Sequence, residues 1–394
     1  MNQPGSSPVP HPTLPLILIS LMFIGFISLG LPDGLLGVAW PSFSAERGVP
    51  LSALGYILTA GTSGFIIASL FSGRLIARLG VGRLLAAASL TTALSLIGIG
   101  LVTSWWLLLL LALLLGAGGG CIDGGLNNYA AATTSPRVLA WLHGCYGIGA
   151  TAGPLLMTTI LAAGRPWSLG YLIIGTVQLL LALTFLQSSG LWAAHAPTER
   201  HTVRSRVGLR ATLGRPVVWP NALLFILYTG LEASAGQWTY TLFTIGRGIE
   251  PATAGLWIAL YWGGLTFGRF ATGVVATRFT PSALLWSGSL GALVSAILIA
   301  LPGMPWASAI GMPLLGIALA PIFPALIGTT AKRVGSDHAS NTIGIQLAAA
   351  SIGAAAIPWV IGQASTRFGV AAIGMLIVGV ALLYVLLFVS VENL

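Results

Sequence analysis

The chain has 394 residues, of which 56% are hydrophobic and only 6% are charged, and its mean hydropathy is +0.93. About a quarter of the residues in soluble globular proteins are charged, so this composition excludes a soluble fold and indicates that lipid surrounds most of the chain. The net charge of +9 would also suit a nucleic-acid-binding protein. The placement of the basic residues along the chain distinguishes nucleic-acid binding from contact with a membrane surface.

Apolar stretches of about 20 residues, long enough to cross a bilayer as helices, recur along the whole chain with short gaps between them. A proline-rich segment, residues 1–13, precedes them and is predicted to be a disordered cytoplasmic tail. The first stretch lacks a cleavage site of small residues, so it is predicted to be a retained helix and not a signal peptide. In chain order, helices are predicted at 14–43, 51–77, 82–103, 105–134, 137–163, 168–193, 217–246, 252–279, 281–301, 304–331, 339–366 and 369–391.

A basic hydrophilic segment, 194–216, is the predicted linker between two sets of six helices, 14–193 and 217–391. Glycines in the two sets of helices are paired at an offset of 200 residues. Chance predicts about one Gly–Gly pair over the matched region, and five occur. The sequence therefore predicts an all-α membrane protein of two pseudo-symmetric six-helix bundles with a solute site between them. The matched pairs are Gly30 with Gly230, Gly48 with Gly248, Gly55 with Gly255, Gly64 with Gly264 and Gly73 with Gly273, together with Arg47 and Arg247, and Arg78 and Arg278.

The basic residues are distributed unevenly over the two sides of these helices. With the N-terminus inside, only Arg47, Arg165, Arg247 and Arg367 of the 17 lysines and arginines fall outside. This asymmetry follows the positive-inside rule, so the basic surplus indicates topology and contact with anionic lipid, not nucleic-acid binding. We expect a multi-pass protein of the inner (cytoplasmic) membrane, with both termini cytoplasmic, that acts as a monomer.

The loop between predicted helices 2 and 3 contains Gly73, Arg78, Gly80 and Arg83, and it resembles the signature loop of the major facilitator superfamily. The resemblance implies a transporter of twelve helices that opens alternately to the two sides of the membrane. It also implies that these arginines latch the cytoplasmic gate. Ala77 stands where that loop usually has aspartate. Arg78 and Arg83, with Arg269 and Arg278 of the second half, are the candidate gate residues.

Three acids lie deep inside predicted helices: Asp33 in helix 1, Asp123 in helix 4 and Glu232 in helix 7. A carboxylate in a bilayer costs several kcal/mol unless it is paired, protonated or hydrated, so these acids are candidates for proton or cation coupling. Their depths along the helices predict that they are staggered, which suits a relay that takes up a proton outside and releases it inside. The alternative is that each acid only holds neighbouring helices together.

Asp33, and Asp123 followed four residues later by Asn127, resemble the fucose/galactose/glucose:cation symporter branch of that superfamily. The resemblance implies that Asp33 takes up the coupling proton and that Asp123 takes part in substrate binding or a proton relay. The helix 4 acid of that branch is often glutamate, which is longer than Asp123 by about 1.5 Å. Sugar choice or coupling can therefore differ here.

Amide and aromatic side chains near the acids suit a hydroxylated solute, since amides bind hydroxyl groups and aromatic faces pack on the C–H surface of a sugar ring. Aromatic residues also anchor helices at membrane interfaces, so cavity lining is one of two interpretations for each. The candidate substrate residues are Asn127, Asn128, Gln237, Trp238, Tyr240, Tyr146, Tyr261, Trp262, Gln346, Trp359 and Trp40.

The leading prediction is a secondary symporter, coupled to protons or sodium, for a monosaccharide or a similar small polar solute. The alternative is a proton-coupled exporter of drugs or other amphipathic compounds, because Gly147, Gly149, Gly153 and Pro154 in helix 5 resemble the glycine and proline motif of antiporters. No enzyme, cofactor or metal site is predicted: nucleotide-binding and hydrolase motifs are missing, and Cys121 and Cys145 have no ligand spacing.

Overall fold

The computed structural model describes residues 14–195, 207–275 and 278–392. The predicted tail, 1–13, and residues 196–206 of the predicted linker lie outside the described residues. The described part is helical, and it contains no strand.

Twelve long helices run through the described residues at the positions where the apolar stretches predict them. α10 is broken at Ala320 and Pro321, and α7 is continued by a π-helix, Leu242–Gly246. Short helices follow α6 (Ser189–Ala194) and precede α7 (Leu209–Leu213). The long helices are α1 Leu16–Arg47, α2 Leu54–Leu79, α3 Val81–Leu101, α4 Trp105–Thr133, α5 Pro136–Ala162, α6 Ser168–Gln187, α7 Val218–Thr241, α8 Pro251–Val275, α9 Pro281–Ala300, α10 Pro305–Val334, α11 Ser336–Phe368 and α12 Ile373–Glu392.

Ten of these helices are long and apolar enough, by length and composition, to cross a membrane. The two that fall short are α7 and α8, which carry Glu232 and Arg269 among several tyrosines, tryptophans and glycines. Large apolar side chains such as Leu70 and Trp106 are 76% and 78% exposed on the outside of the helices. An apolar outer surface of this kind needs lipid around it, so the chain is a multi-pass membrane protein.

The helices begin and end at residues that suit helix termini. The hydroxyl groups of Ser104, Ser135 and Thr280 accept backbone hydrogen bonds at the starts of α4, α5 and α9. Gly48 and Gly248 end α1 and the extension of α7 with φ of 64° and 65°, a left-handed conformation that favours glycine. These two glycines are 200 residues apart, so the sequence repeat is also a structural repeat.

The two bundles are built in the same way. In the first, α1 packs on α5, α2 on α4 and α3 on α6, and in the second α7 packs on α11, α8 on α10 and α9 on α12. The bundles meet where α5 packs on α8, α2 on α11 and α1 on α7. Exchanging the two bundles converts the first of these contacts into the second and leaves the third unchanged, as pseudo-twofold symmetry requires.

We call the side where α1 begins and α6 ends the linker side and the opposite side the far side. On the far side the bundles touch closely: a Cβ atom added to Gly55 of α2 would lie 2.0 Å from Trp359 Cδ1 of α11. On the linker side, Gly73 of α2 and Gly344 of α11 have open space around them, and Asn128 of α4 is exposed. The cavity between the bundles is therefore closed at the far side and accessible from the linker side.

Candidate functional site

Asp33 lies near the middle of α1 and is exposed, although the helix crosses the centre of the protein. Its carboxylate accepts a hydrogen bond of 2.5 Å from the Tyr146 hydroxyl of α5, and its backbone carbonyl accepts one of 3.1 Å from Gln237 Nε2 of α7. The close packing that Gly34 allows against Ala150 places α1 directly against α5. The Asp33 carboxylate therefore faces the cavity at the boundary between the bundles.

Glu232 of α7 and Arg269 of α8 form an ion pair beside Asp33, with 3.5 Å between Oε1 and Nη2. The Tyr228 hydroxyl donates to Glu232 Oε2, and the Tyr261 hydroxyl donates to the Glu232 backbone carbonyl at 2.8 Å. Glu232 lies close enough to Asp33 for the two acids to interact electrostatically. We call Asp33, Tyr146, Tyr228, Glu232 and Arg269 the central cluster.

Asp123 of α4 lies apart from this cluster and is partly exposed. Asn127 Nδ2, one turn further along α4, donates to Asp123 Oδ1 at 2.9 Å. The face that bears these two residues also includes Gly119, whose position is near Leu29 of α1 and Phe65 of α2. Asp123 and Asn127 therefore form a second polar site in the first bundle.

The structure brings Asp33 and Glu232 within electrostatic range of each other, whereas Asp123 lies apart; the staggering of the three acids in depth stays a prediction. Asp33 and Glu232 interact with each other and with Tyr146. Depth along a helix could not reveal this, because the contact between α1 and α7 is a tertiary feature. Among the residues that the structure describes, no basic side chain lies within ion-pair distance of Asp33 or Asp123.

Four of the candidate substrate residues have exposed or partly exposed side chains. Asn127, Asn128 and Tyr146 lie next to the acids described above, whereas Trp359, 38% exposed, lies against Gly55 at the far-side contact. Asn128 donates to the Gly124 carbonyl through Nδ2 at 2.7 Å, so its amide oxygen and its second N–H remain for other partners.

The structure places the remaining candidates inside packed helix contacts. Each has less than a tenth of its surface exposed, so we assign these side chains to packing and positioning and not to direct contact with a solute. Trp40 donates to the Leu51 carbonyl, Trp238 to the Pro358 carbonyl, and Gln346 accepts from Thr330. The buried candidates are Trp40, Gln237, Trp238, Tyr240, Tyr261, Trp262 and Gln346.

The candidate gate arginines do not share one location. Arg78, Arg83 and Arg278 are exposed at linker-side helix ends, and Arg83 lines a small cleft against the helix Ser189–Ala194. Arg269 belongs to the central cluster instead, because the carboxylate of Glu232 lies within reach of its guanidinium group. Pairing with an acid is the alternative to a gate role for Arg269 in this conformation, and its part in the inner gate stays a prediction.

Tyr228, which is not among the candidate residues, is buried and donates to the Glu232 carboxylate. The available signal was the four-residue spacing of Tyr228 and Glu232, which places both side chains on one face of a helix. That spacing could have identified the pair before the structure did.

Comparison with known proteins agrees with this architecture. Residues 22–358 match the family model described as Major Facilitator Superfamily. Among curated proteins, "Bypass of stop codon protein 6" of Saccharomyces cerevisiae is 24% identical over 270 residues, and the match covers 60% of this chain and 53% of the yeast protein. The aligned region thus spans about half the length of that relative.

Solved structures with the same fold cover almost the whole chain. The nucleoside transporter NupG has a TM-score of 0.76 at 13% identity, and the match covers 95% of this chain and 98% of its own. A bacterial homologue of the lysosomal transporter Spinster, inward-facing and unoccupied, has a TM-score of 0.73 at 14% identity, with 94% and 95% covered. The transporter FucP, in the outward conformation, has a TM-score of 0.61 at 17% identity, with 94% and 98% covered.

The TM-scores of these matches establish the fold, whereas sequence identities this low leave the substrate open. The family model covers most of the chain, and the two matched bundles enclose a cavity that reaches an acid in the middle of α1. On these grounds, the chain belongs to the major facilitator superfamily of membrane transporters.

Proposed function

We propose that this protein is a proton-coupled symporter of a monosaccharide or a similar small polar solute, working by alternating access. The observation that carries the proposal is Asp33, an exposed carboxyl group in the middle of a membrane helix that has a tyrosine donor and no basic partner among the described residues. Binding a proton removes the charge of such a group, whereas leaving it ionised in the membrane interior is costly.

The coupling step assigns different tasks to the acids. Asp33 takes up and releases the proton, and the Tyr146 hydroxyl stabilises its ionised form by hydrogen bonding. Glu232 is held by Arg269 and Tyr228, so it acts on Asp33 through its charge. Asp123 and Asn127 present a carboxylate and an amide for solute hydroxyl groups or for a further proton step.

The solute site lies in the cavity between these two groups of residues. Asn127, Asn128 and Tyr146 are its proposed hydrogen-bonding side chains, and Trp359 is its proposed aromatic contact near the far side. The buried candidates support this site by fixing helices: Gln237, for example, ties α7 to the Asp33 backbone.

The proposed orientation places the linker side in the cytoplasm of a cell with an inner membrane. Exposed arginines at the linker-side ends of α2 and α3, Arg74, Arg78 and Arg83, support it through the positive-inside rule. With this orientation, the described state faces inward.

Export of amphipathic compounds is the second candidate, and one observation favours it. An apolar groove between α5 and α8, lined by Ile148, Leu155, Phe267 and Phe270 among others, opens on the outer surface of the helices. A lipid-soluble compound could reach the protein at this groove from within the membrane. Efflux of an amphipathic dye from energised vesicles, without any sugar exchange, would favour this candidate over the first.

The test of the first candidate uses purified protein in liposomes. With an inward proton gradient, we expect accumulation of a radiolabelled neutral monosaccharide above its equilibrium level, and a sodium gradient alone should not replace the proton gradient. Asp33→Asn should abolish accumulation but retain exchange of labelled for unlabelled sugar, because exchange needs no net proton movement. The matched control is Glu46→Gln, since Glu46 lies at the far-side end of α1, where it accepts from Trp167 at 2.7 Å. Proton-driven accumulation by Asp33→Asn at the wild-type level would refute the assigned role.

A further inference from the structure

Arg269 carries a guanidinium group inside a membrane protein, and the neighbouring Glu232 neutralises its positive charge. Glu232 Oε1 lies 3.5 Å from Arg269 Nη2, and the two side chains are 17% and 24% exposed. The Tyr228 hydroxyl holds the other oxygen of the same carboxylate. The pair is therefore fixed at the wall of the cavity and not on the outer surface.

The charges of the central cluster can be counted from its members. Asp33, Glu232 and Arg269 carry a net charge of −1 when both acids are ionised, and zero when Asp33 is protonated. His143 of α5 is the other basic group near Arg269; it is exposed and in edge contact with Phe26, and it leaves the count unchanged while it is neutral. While His143 is neutral, the cluster holds no excess positive charge for an anion at any point of a proton cycle on Asp33.

A guanidinium group without an acidic partner would behave differently. Its five N–H donors match the geometry of a carboxylate, and an arginine without an acidic partner in a partly buried site is a strong site for a sugar acid. In this protein the Glu232 carboxylate takes the place beside Arg269 that the carboxylate of a sugar acid would need. The remaining N–H groups of Arg269 can still donate to uncharged hydroxyl groups.

We infer that Glu232 determines specificity: by occupying Arg269 it restricts the central site to uncharged hydroxylated solutes and excludes their carboxylate analogues. This inference rests on the proposed solute site and adds the charge class of the substrate. It assigns Glu232 to solute selection as well as to its electrostatic effect on Asp33.

The experiment measures binding of charge-matched sugar pairs to the purified wild type and to Glu232→Gln. The probes are galactose with galacturonate and glucose with glucuronate, which differ within each pair by one carboxylate. Wild type should bind the neutral member at least about tenfold more tightly, and Glu232→Gln should gain at least about tenfold for the acid while the neutral sugar changes much less. Isothermal titration at one fixed pH gives both constants.

Two further variants separate selection by Glu232 from a general loss of negative charge. Glu392→Gln frees Arg333, the partner of Glu392 at 2.7 Å, at the linker-side end of α12, away from the central cluster. This control should show no gain for sugar acids. The double variant Glu232→Gln with Arg269→Gln should lose the gain, because the guanidinium group that binds the acid is gone.

The outcomes decide the inference in each case. No gain of acid binding in Glu232→Gln, or an equal gain in the Glu392→Gln control, overturns it. If Glu232→Gln fails to fold, Arg269→Gln takes its place: this variant leaves Glu232 unpaired and must weaken sugar acids further relative to neutral sugars, or the inference is wrong. Should wild type bind no neutral monosaccharide at all, the proposed function fails, and the gain of acid binding by Glu232→Gln still tests the role of Glu232.

Discussion

The far-side contact between α2 and α11 depends on the missing side chain of Gly55. A Cβ atom at this position would lie 2.0 Å from Trp359 Cδ1, 2.8 Å from its Cγ and 2.9 Å from its Cβ. The Trp359 Cβ cannot move without its helix, and carbon atoms in normal contact are about 3.5–4.0 Å apart. In Gly55→Ala, α2 and α11 must therefore separate on the far side by about 0.6 Å or more, the difference between 2.9 Å and a normal carbon contact.

The cost of this change falls on one conformation only. Overpacking of a close contact costs about 1–3 kcal/mol, and a state in which α2 and α11 part on the far side escapes it. The equilibrium should then shift toward the far-side-open state by about 5- to 150-fold. Gly73→Ala on the same helix is the matched control, because nothing lies within 4 Å of its Cβ position.

Electron–electron double resonance distances between spin labels can measure this shift. The labels are placed at Arg165→Cys and Arg367→Cys, exposed positions at the far-side ends of α5 and α11, after replacement of Cys121 and Cys145 by alanine. Gly55→Ala should populate longer distances, and Gly73→Ala should not. Adding Trp359→Gly to Gly55→Ala should restore the short distances, because it removes the Cβ, Cγ and Cδ1 atoms of residue 359 that clash. A distance distribution in Gly55→Ala that matches the unsubstituted protein would refute this account of the gate.

Two further predictions concern stability. Gly116→Ala should lower the melting temperature of the purified protein, because the new Cβ would lie 1.8 Å from the backbone carbonyl oxygen of Gly61 in α2. Overpacking of this kind costs about 1–3 kcal/mol. An unchanged melting temperature would contradict the prediction. Glu250→Gln should destabilise the start of α8 at neutral pH, since the Glu250 carboxylate accepts hydrogen bonds of 2.8 and 2.7 Å from two backbone N–H groups there. These bonds lower the pKa of Glu250 below its usual value of 4.5, so its stabilisation is complete at neutral pH and is lost as the pH falls below 4.5 through the lowered pKa. Thermal melts of both proteins at pH 7 and under acid conditions should therefore converge at low pH, and a difference that persists there would contradict the prediction.

The fold could be predicted from the sequence because lipid makes helices obligatory for long apolar segments. Even α7 and α8, which carry Glu232 and Arg269, were recognisable from their position in the repeat. Two glycines that the internal offset pairs, Gly48 and Gly248, adopt the same left-handed conformation in the structure. What the repeat could not predict was the break in α10 at Ala320 and Pro321, which has no counterpart in α4.

The acids of the candidate site were named from the sequence, but their hydrogen-bond and ion-pair partners were not. Asp33 and Glu232 were selected because ionisable groups are rare and costly in a membrane. Which partner each acid has depends on how helices from two bundles meet, and a single sequence carries no signal for that. Trp40 and Gln237 show the limit of that reasoning: amide and aromatic groups near an acid in sequence can be turned into the core, where both are buried.

The central cluster is divided between the bundles in a way that links proton binding to conformation. Tyr146 belongs to α5, which packs on α1, so it stays with Asp33 when the bundles move relative to each other. Glu232 and Gln237 belong to α7 of the other bundle, so the movement that the proposed alternating access requires would change the distance between the two acids and act on the bond from Gln237 to the Asp33 carbonyl. The electrostatic surroundings of Asp33 therefore differ between the two states. Because linkage is reciprocal, a proton on Asp33, the site proposed for it above, would in turn change the balance between those states, which is the requirement for the proposed coupling of a solute to a proton gradient.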